Sequence, residues 1–336
     1  MSRKALKQER RRKAPSLLSQ KENCRICLAG SALVCSVTGR SKQMAEPYLG
    51  NPGRCSVVLK KYGFSFRKKY GQNFLIDTNV LESIVDTAGI TKDDFVLEIG
   101  PGIGTLTQYL ATYAGRVIAV EIDQKLIPIL EDTLSGWDNV EILSADILKT
   151  DIRKIADEKN GGKPIKICAN LPYYITTPIL MAMLESGAPI SDLTVMVQKE
   201  VAERMVTGPG SKEYGALSLA VQYYTKPEIS FIVPPSSFMP RPHVESAVIH
   251  MELYEEPPVR VLDEKMLFAV IRASFNERRK TLLNGLSHFQ EFDFTKEELA
   301  GAIERCGISP TVRGEKLGLA EFAALANELV KTLCVN

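Results

Sequence analysis

Between Phe95 and Lys199 the chain alternates between two hydrophobic rhythms. Short runs rich in β-branched residues, "FVLEIG" (95–100), "RVIAVEI" (116–122), "VEILSAD" (140–146), "KICANLP" (166–172) and "LTVMVQK" (193–199), read as strands. The segments around Leu106–Ala114, Lys125–Leu134 and Pro178–Ser186 carry apolar residues at helical spacing instead. Strand, helix, strand at this interval predicts a parallel sheet wrapped by helices, an α/β fold. The rhythm then changes. "ISFIVPP" (229–235) and "SAVIHMEL" (246–253) follow one another with no long helix between them, as in an antiparallel pair at a sheet edge. Beyond Pro257 and Pro258 the strand signal stops, and residues 264–286 and 296–307 show helical spacing only. A domain boundary near Pro257, with a small all-α domain over 257–336, is the expected organisation.

Composition narrows the class. A chain of 336 residues has room for two domains, and 45% hydrophobic with 24% charged residues is the balance of a folded globular protein. No apolar run approaches the ~20 residues needed to span a bilayer. The net charge of +2 hides an asymmetry: residues 1–43 carry 11 Lys/Arg against 2 Asp/Glu, so the remainder is net acidic. That excludes a globally basic nucleic-acid binder for the folded part and confines any basic surface to local stretches. Residues 1–43 read as a disordered or spurious extension ahead of Met44, because their apolar part is too short to fold alone and too short for a secretory signal. Residues 44–69 read as a basic N-terminal arm, and 70–256 as the α/β body. Seven cysteines, an odd and scattered set, form no disulfide framework and suit a reducing cytoplasm. Cys24 and Cys27 make half of a zinc pattern that Cys35 and Cys55 do not complete, so no metal is expected.

The chemistry begins at the first strand's end. Glu98, Gly100, Gly102 and Gly104 form an E-x-G-x-G-x-G turn that opens a helix. Glycines there allow a ligand close to the backbone, and the helix N-terminus favours electron-rich groups. A dinucleotide fingerprint would need glycine at 105, where the chain has Thr105. The loop instead resembles the S-adenosylmethionine loop of Rossmann-like methyltransferases. Glu121 closes the second strand and Asp146 the third; in an open α/β sheet both carboxyl ends face the crevice the loop lines. A carboxylate at Glu121 can accept both ribose hydroxyls of an adenosine, and Asp146 can accept from its amino group.

At the fourth strand's end stands "NLPY" (170–173). The lone pair of an adenine amino group is delocalised into the ring and attacks poorly. The Asn170 side-chain carbonyl and a backbone carbonyl near Leu171 can bind its two hydrogens and aim the lone pair at a methyl donor. Pro172 stiffens the turn, and Tyr173 offers a face on which an extruded base can stack.

At this point the chain resembles the KsgA/RsmA ribosomal RNA adenine dimethyltransferases. The resemblance rests on "GQNFLID" (71–77), "LEIGPGIGTLT" (97–107), "VEID" (120–123), "NLPYYITTPI" (170–179), "QKEVAERM" (198–205), "EYGALSLAVQ" (213–222), "FMPRPHVESAVI" (238–249) and "SFNERRKTLLN" (274–284). It implies a Rossmann-like class I S-adenosylmethionine-dependent methyltransferase domain with a small all-α C-terminal domain. The expected activity is dimethylation at N6 of two adjacent adenosines in a hairpin near the 3′ end of 16S ribosomal RNA, within the small ribosomal subunit. By position, Asn73, Leu75, Gly100, Glu121, Asp146 and Asn170 should hold S-adenosylmethionine. Asn170, Leu171, Tyr173 and Phe238 should hold the target base, with Phe238 as the second aromatic wall. The helix carrying Arg278, Arg279 and Lys280 should meet RNA phosphates, as should the basic, aromatic stretch 60–71. A cytoplasmic monomer without membrane contact is expected. The related Erm type, which acts on large-subunit RNA, and a non-catalytic binding relative of the same fold are the alternatives; the intact glycine loop and "NLPY" oppose the second.

Overall fold

The computed structural model describes residues 45–67 and 71–335. The expectations for residues 1–43, for Cys24, Cys27 and Cys35, and for the cations Lys68 and Lys69 of the basic arm lie outside the described residues. The centre is a seven-stranded sheet in the order β4-β3-β2-β5-β6-β9-β7. Its first five members in that order, β4 (Val140–Ser144), β3 (Arg116–Glu121), β2 (Phe95–Ile99), β5 (Ile165–Asn170) and β6 (Ile190–Gln198), run parallel. β2 is buried at every residue, because helices cover both faces of the sheet and leave its strands no solvated side. β7 (Thr225–Val233) and β9 (Ser246–Leu253) are antiparallel as expected, with β9 inserted between β6 and the edge strand β7.

One face of the sheet packs Leu97, Ile99, Ile167 and Ala169 against α5 (Ile152–Asn160) and α6 (Thr176–Leu184). The other packs Val96 and Val117 against α2 (Thr78–Ala88) and α3 (Thr105–Tyr113). Alternate residues of one strand therefore feed two different cores, which fixes the register. The sheet order reverses between β2 and β5: β3 and β4 lie on one side, β5 and β6 on the other. The crevice for a ligand opens at the carboxyl ends of strands at such a switch point.

The segment before the α/β body, read from sequence only as a basic arm, contains a helix. α1 (Pro52–Lys61) starts at Asn51, whose side chain accepts from the N–H groups of Gly53 and Arg54. Gln108 of α3 accepts from the N–H groups of Tyr48 (2.9 Å) and Leu49 (3.1 Å), fastening the arm to the body. Leu49, Cys55, Val58 and Leu59 are buried against Ile103, Leu126 and Ile129. The Cys55 thiol donates to the Leu49 carbonyl, and burial pushes its pKa up to about 11, so it is an inert core group. A second two-stranded ladder joins β1 (Phe74–Leu75) to β8 (Phe238–Met239).

Behind β9, α9 (Glu264–Asn276), α10 (Leu282–Ser287), α11 (Lys296–Arg305) and α12 (Leu319–Val335) form a core of their own. That core also takes Tyr214, Leu219 and Tyr223 from the α/β side. No helix among the described residues is long and apolar enough to cross a membrane.

Candidate active site

The glycine loop follows β2 and ends at α3. Gly100 and Gly102 adopt φ of +68° and +62°, a left-handed backbone that other residues enter only at a cost. At Gly102 a side chain is also excluded by space, since a Cβ would stand 2.8 Å from the Phe74 ring. Phe74 is in turn packed against Phe64 and Phe66, with centroids 5.9 and 5.4 Å away. The arm thus roofs the loop.

Glu121 ends β3 with its carboxylate against this loop. Its Oε2 accepts from the Gly102 N–H (3.2 Å) and its Oε1 from the Asp123 N–H (2.7 Å). Burial nonetheless raises its pKa to about 7; the two backbone donors oppose the shift and Asp123 adds to it. Glu98, fully enclosed beneath the loop, is raised further, to about 8. Burial is the main cause, the nearby Thr107 hydroxyl opposes it, and the charge of Glu121 adds to it. Glu98 Oε2 and Thr105 Oγ1 are buried without a hydrogen-bond partner among the described residues, and both residues line the cavity. The Glu121 carboxyl and the unpartnered oxygens of Glu98 and Thr105 facing one enclosure suit a ligand that brings hydrogen-bond donors.

Asp146 lies in the turn beyond β4, two residues past the strand's end, where its Oδ1 accepts from the Leu148 N–H at 3.1 Å. Asn170 is the last residue of β5. Its Nδ2 donates to the Asn73 carbonyl at 3.0 Å, which commits the amide's donor side and turns its carbonyl oxygen into the free acceptor side. Leu171 is buried, and its N–H donates to the Met196 carbonyl at 3.0 Å. Tyr173 is half-buried; its hydroxyl shares a 2.6 Å hydrogen bond with Ser246 Oγ, fixing the ring.

These residues surround one cleft of about 1010 Å³, open solvent included. Asn73, Leu75, Gly100, Glu121, Asp146, Asn170, Leu171 and Tyr173 all line it. Phe238 does not. It is 2% exposed, pairs with Leu75 across the β1–β8 ladder, and lies in the core with Met196, Val233 and Val248. The exposed ring at the cleft is Tyr174, 55% accessible. Sequence reasoning missed Gln72 and Asp123, and it named Glu98 and Thr105 only as parts of the loop pattern, not as an orphaned buried pair. The loop motif placed Glu98 and Thr105 at the crevice but not their burial, whereas Gln72 and Asp123 meet only through the tertiary fold.

The cations expected on a helix stand elsewhere. α9 stops at Asn276, and Arg278, Arg279 and Lys280 occupy the exposed turn before α10. Arg278 is engaged within the protein: its Nη2 donates to the carbonyls of Lys212 (2.9 Å) and Tyr214 (3.1 Å) and stands 3.5 Å from Glu315. The turn forms because α9 is capped at Glu277, whose carbonyl accepts from the Lys280 N–H and whose carboxylate pairs with His288.

An adenosine-bearing cation fits this crevice: the Glu121 carboxylate lines it at the end of β3, Gly102 leaves the space a side chain would fill, and unsatisfied buried oxygens lie beneath the loop. Fold and site together define a Rossmann-like S-adenosylmethionine-dependent methyltransferase. The profile of the family described as "Ribosomal RNA adenine dimethylase" matches residues 63–331, and the chain belongs to that family. It is 62% identical over 281 residues to "Ribosomal RNA small subunit methyltransferase A" of Lachnoclostridium phytofermentans, covering 83% of this chain and 97% of the relative. The protein of the same description from Alkaliphilus metalliredigens is 51% identical over 279 residues, with 83% and 97% covered. Among solved structures, a dimethyladenosine transferase from Plasmodium falciparum superposes with a TM-score of 0.64 at 26% identity, covering 77% of this chain and 98% of that one. The 23S rRNA methyltransferase ErmE superposes with a TM-score of 0.57 at 25% identity, covering 76% and 99%. The Erm alternative is thus similar in fold but far more distant in sequence than the small-subunit enzymes.

Proposed function

We propose that this chain dimethylates N6 of two adjacent adenosines in a hairpin near the 3′ end of 16S ribosomal RNA, acting on the small ribosomal subunit as a cytoplasmic monomer. The observation that carries the reading is the committed orientation of Asn170, whose donor side is spent on the Asn73 carbonyl. Its carbonyl oxygen is thereby available to accept from an incoming amine. S-adenosylmethionine, when bound, supplies an electrophilic methyl group. Asn170 Oδ1 and a backbone carbonyl near Leu171 accept the two amino hydrogens and direct the nitrogen lone pair. Tyr173, locked through Ser246, gives the base a plane to stack on. Glu121 takes the ribose hydroxyls, Asp146 the adenine amino group, and Asn73, Leu75 and Gly100 border the methionine end. No side chain of the cleft need act as a strong base, because the amine's proton becomes acidic only as the new bond forms.

Phe238 keeps the Leu75 wall in register from behind rather than lining the cleft. For the RNA, Arg279 and Lys280 are the proposed phosphate contacts, with Arg278 holding the neighbouring 212–214 segment. Incubating undermethylated small subunits and, in parallel, unmethylated large-subunit RNA with the protein and tritiated S-adenosylmethionine, then mapping the label, tests the reading. Label on two neighbouring adenosines near the 3′ end is expected. Label on large-subunit RNA only would replace this reading with the Erm one, and sedimentation equilibrium checks the monomer.

A further inference from the structure

The walls of the cofactor cleft come from chain segments far apart in sequence, and one buried carboxylate outside the predicted set joins two of them. Asp123 is 1% exposed. Its backbone N–H donates to Glu121 Oε1 at 2.7 Å. Its Oδ1 accepts from Arg67 Nη1 and from the Lys125 N–H, each at 3.2 Å, and its Oδ2 accepts from Gln72 Nε2 at 3.0 Å. Gln72 cannot turn its amide over, because its Oε1 already accepts from the Arg67 N–H at 2.9 Å. The next residue is Asn73, whose carbonyl accepts from Asn170 Nδ2. Three hydrogen bonds and the Gln72–Asn73 peptide link therefore join Glu121 through Asp123, Gln72 and Asn73 to Asn170.

We propose that Asp123 is a positioning residue for methyl transfer. By holding Gln72 it sets the Gly71–Leu75 wall of the cleft and, through the Asn73 carbonyl, the direction in which the Asn170 amide faces. The inference rests on the reading of the cleft as the S-adenosylmethionine site with Asn170 at the target amine. Every partner of the Asp123 carboxylate is a donor, so the position calls for a group that only accepts. An amide at 123 would present an NH₂ either to the NH₂ of Gln72 or to the donors Arg67 and Lys125. A carboxylate is a costly way to fill a buried volume, and its worth lies in fixing an arrangement rather than in added stability.

The test uses the full chain with Asp123→Asn and Gln72→Ala, singly and together. Melting temperature, S-adenosylmethionine affinity by calorimetry, and single-turnover methyl transfer to small subunits at saturating cofactor are measured for each. Asp123→Asn should weaken cofactor binding roughly tenfold or more. It should also slow transfer at saturating cofactor by a similar factor, because Asn170 is no longer aimed. Gln72→Ala should reproduce both losses, and the double variant should be no worse than the poorer single one, since both delete the same bond. Losses that multiply in the double variant, or a lowered melting temperature with parental affinity and rate, would overturn the proposal. If Asp123→Asn does not fold, Gln72→Ala decides: parental affinity and rate sink the role. A parent protein that binds no S-adenosylmethionine would instead sink the reading of the cleft.

Discussion

At the scale of single residues, Asn170 separates a structural from a chemical role. If its amide only tied β5 to the Asn73 carbonyl, Asn170→Ala would cost stability and leave the folded remainder active. As an acceptor for the reacting amine, its loss should appear in the chemical step. Removing one preorganised hydrogen-bonding group of this kind commonly costs ~10²–10³ in turnover. Single-turnover transfer at saturating cofactor should fall by that order while particle binding stays near parental; transfer at the parental rate would refute the assignment. Glu121→Ala should weaken S-adenosylmethionine binding roughly tenfold to over a hundredfold, the range for hydrogen bonds to a charged group, and calorimetry on the folded variant measures it. Glu98 adds a pH dependence. Its pKa rises from the ordinary glutamate value of 4.5 to about 8 in the fold, so the folded state binds more protons than the unfolded one across that interval. Stability of the ligand-free protein should therefore decline as pH rises from about 4.5 towards 8 and level off beyond. Glu98→Gln should flatten this decline, raising the melting temperature more at pH 8.5 than at pH 5. An equal change at both pH values would show that Glu98 is not held protonated.

At the scale of elements, legibility followed the range of the interactions that hold each one. β2, β3, β5 and β6 were legible because strands buried on both faces read as continuous apolar runs. β1 and β8 were not, since each is two residues long and their paired residues lie more than 160 positions apart. α1 was missed for a related reason: residues far along the chain, Gln108 and Ile103 of the body, secure it. The glycine loop and "NLPY" were legible because their chemistry is local in sequence. The second aromatic wall was not, because the sequence cannot say whether Phe238 faces the cleft or the core. The basic segment after α9 shows the same limit: three cations in a row looked alike, yet the fold employs Arg278 as a brace and leaves Arg279 and Lys280 exposed. Arg278→Ala should therefore lower the melting temperature and loosen the 212–214 segment. Arg279→Ala with Lys280→Ala should leave stability unchanged but weaken particle binding and reduce its salt slope by up to about two, as two fewer counterions are released. A double variant with the parental salt slope would remove both residues from the RNA surface.

At the scale of the whole molecule, the question is where the functional protein begins. The charge surplus of residues 1–43 and the family match from residue 63 would both allow a start well beyond Met1. The fold sets a stricter limit. Leu49, Cys55, Val58 and Leu59 are buried against Ile103 of the glycine loop and against Leu126 and Ile129 beyond Glu121. Burying one large apolar side chain is worth about 1.5–3 kcal/mol, so losing three of them exceeds what a marginally stable domain can spare without a clear fall in melting temperature. Gln108 would also lose the two backbone donors that its side-chain oxygen accepts from. A chain starting at Met44 should bind S-adenosylmethionine and methylate small subunits like the full protein. A chain starting at Gly63, which retains every residue lining the cleft, should melt several degrees lower and bind the cofactor more weakly, because Ile103 and Leu126 would be left exposed. Melting curves and calorimetry on the two truncated proteins decide the matter. Loss of activity already on truncation to Met44 would give residues 1–43 a role that their composition does not announce, and parental stability of the Gly63 chain would mean that α1 adds nothing to the catalytic body.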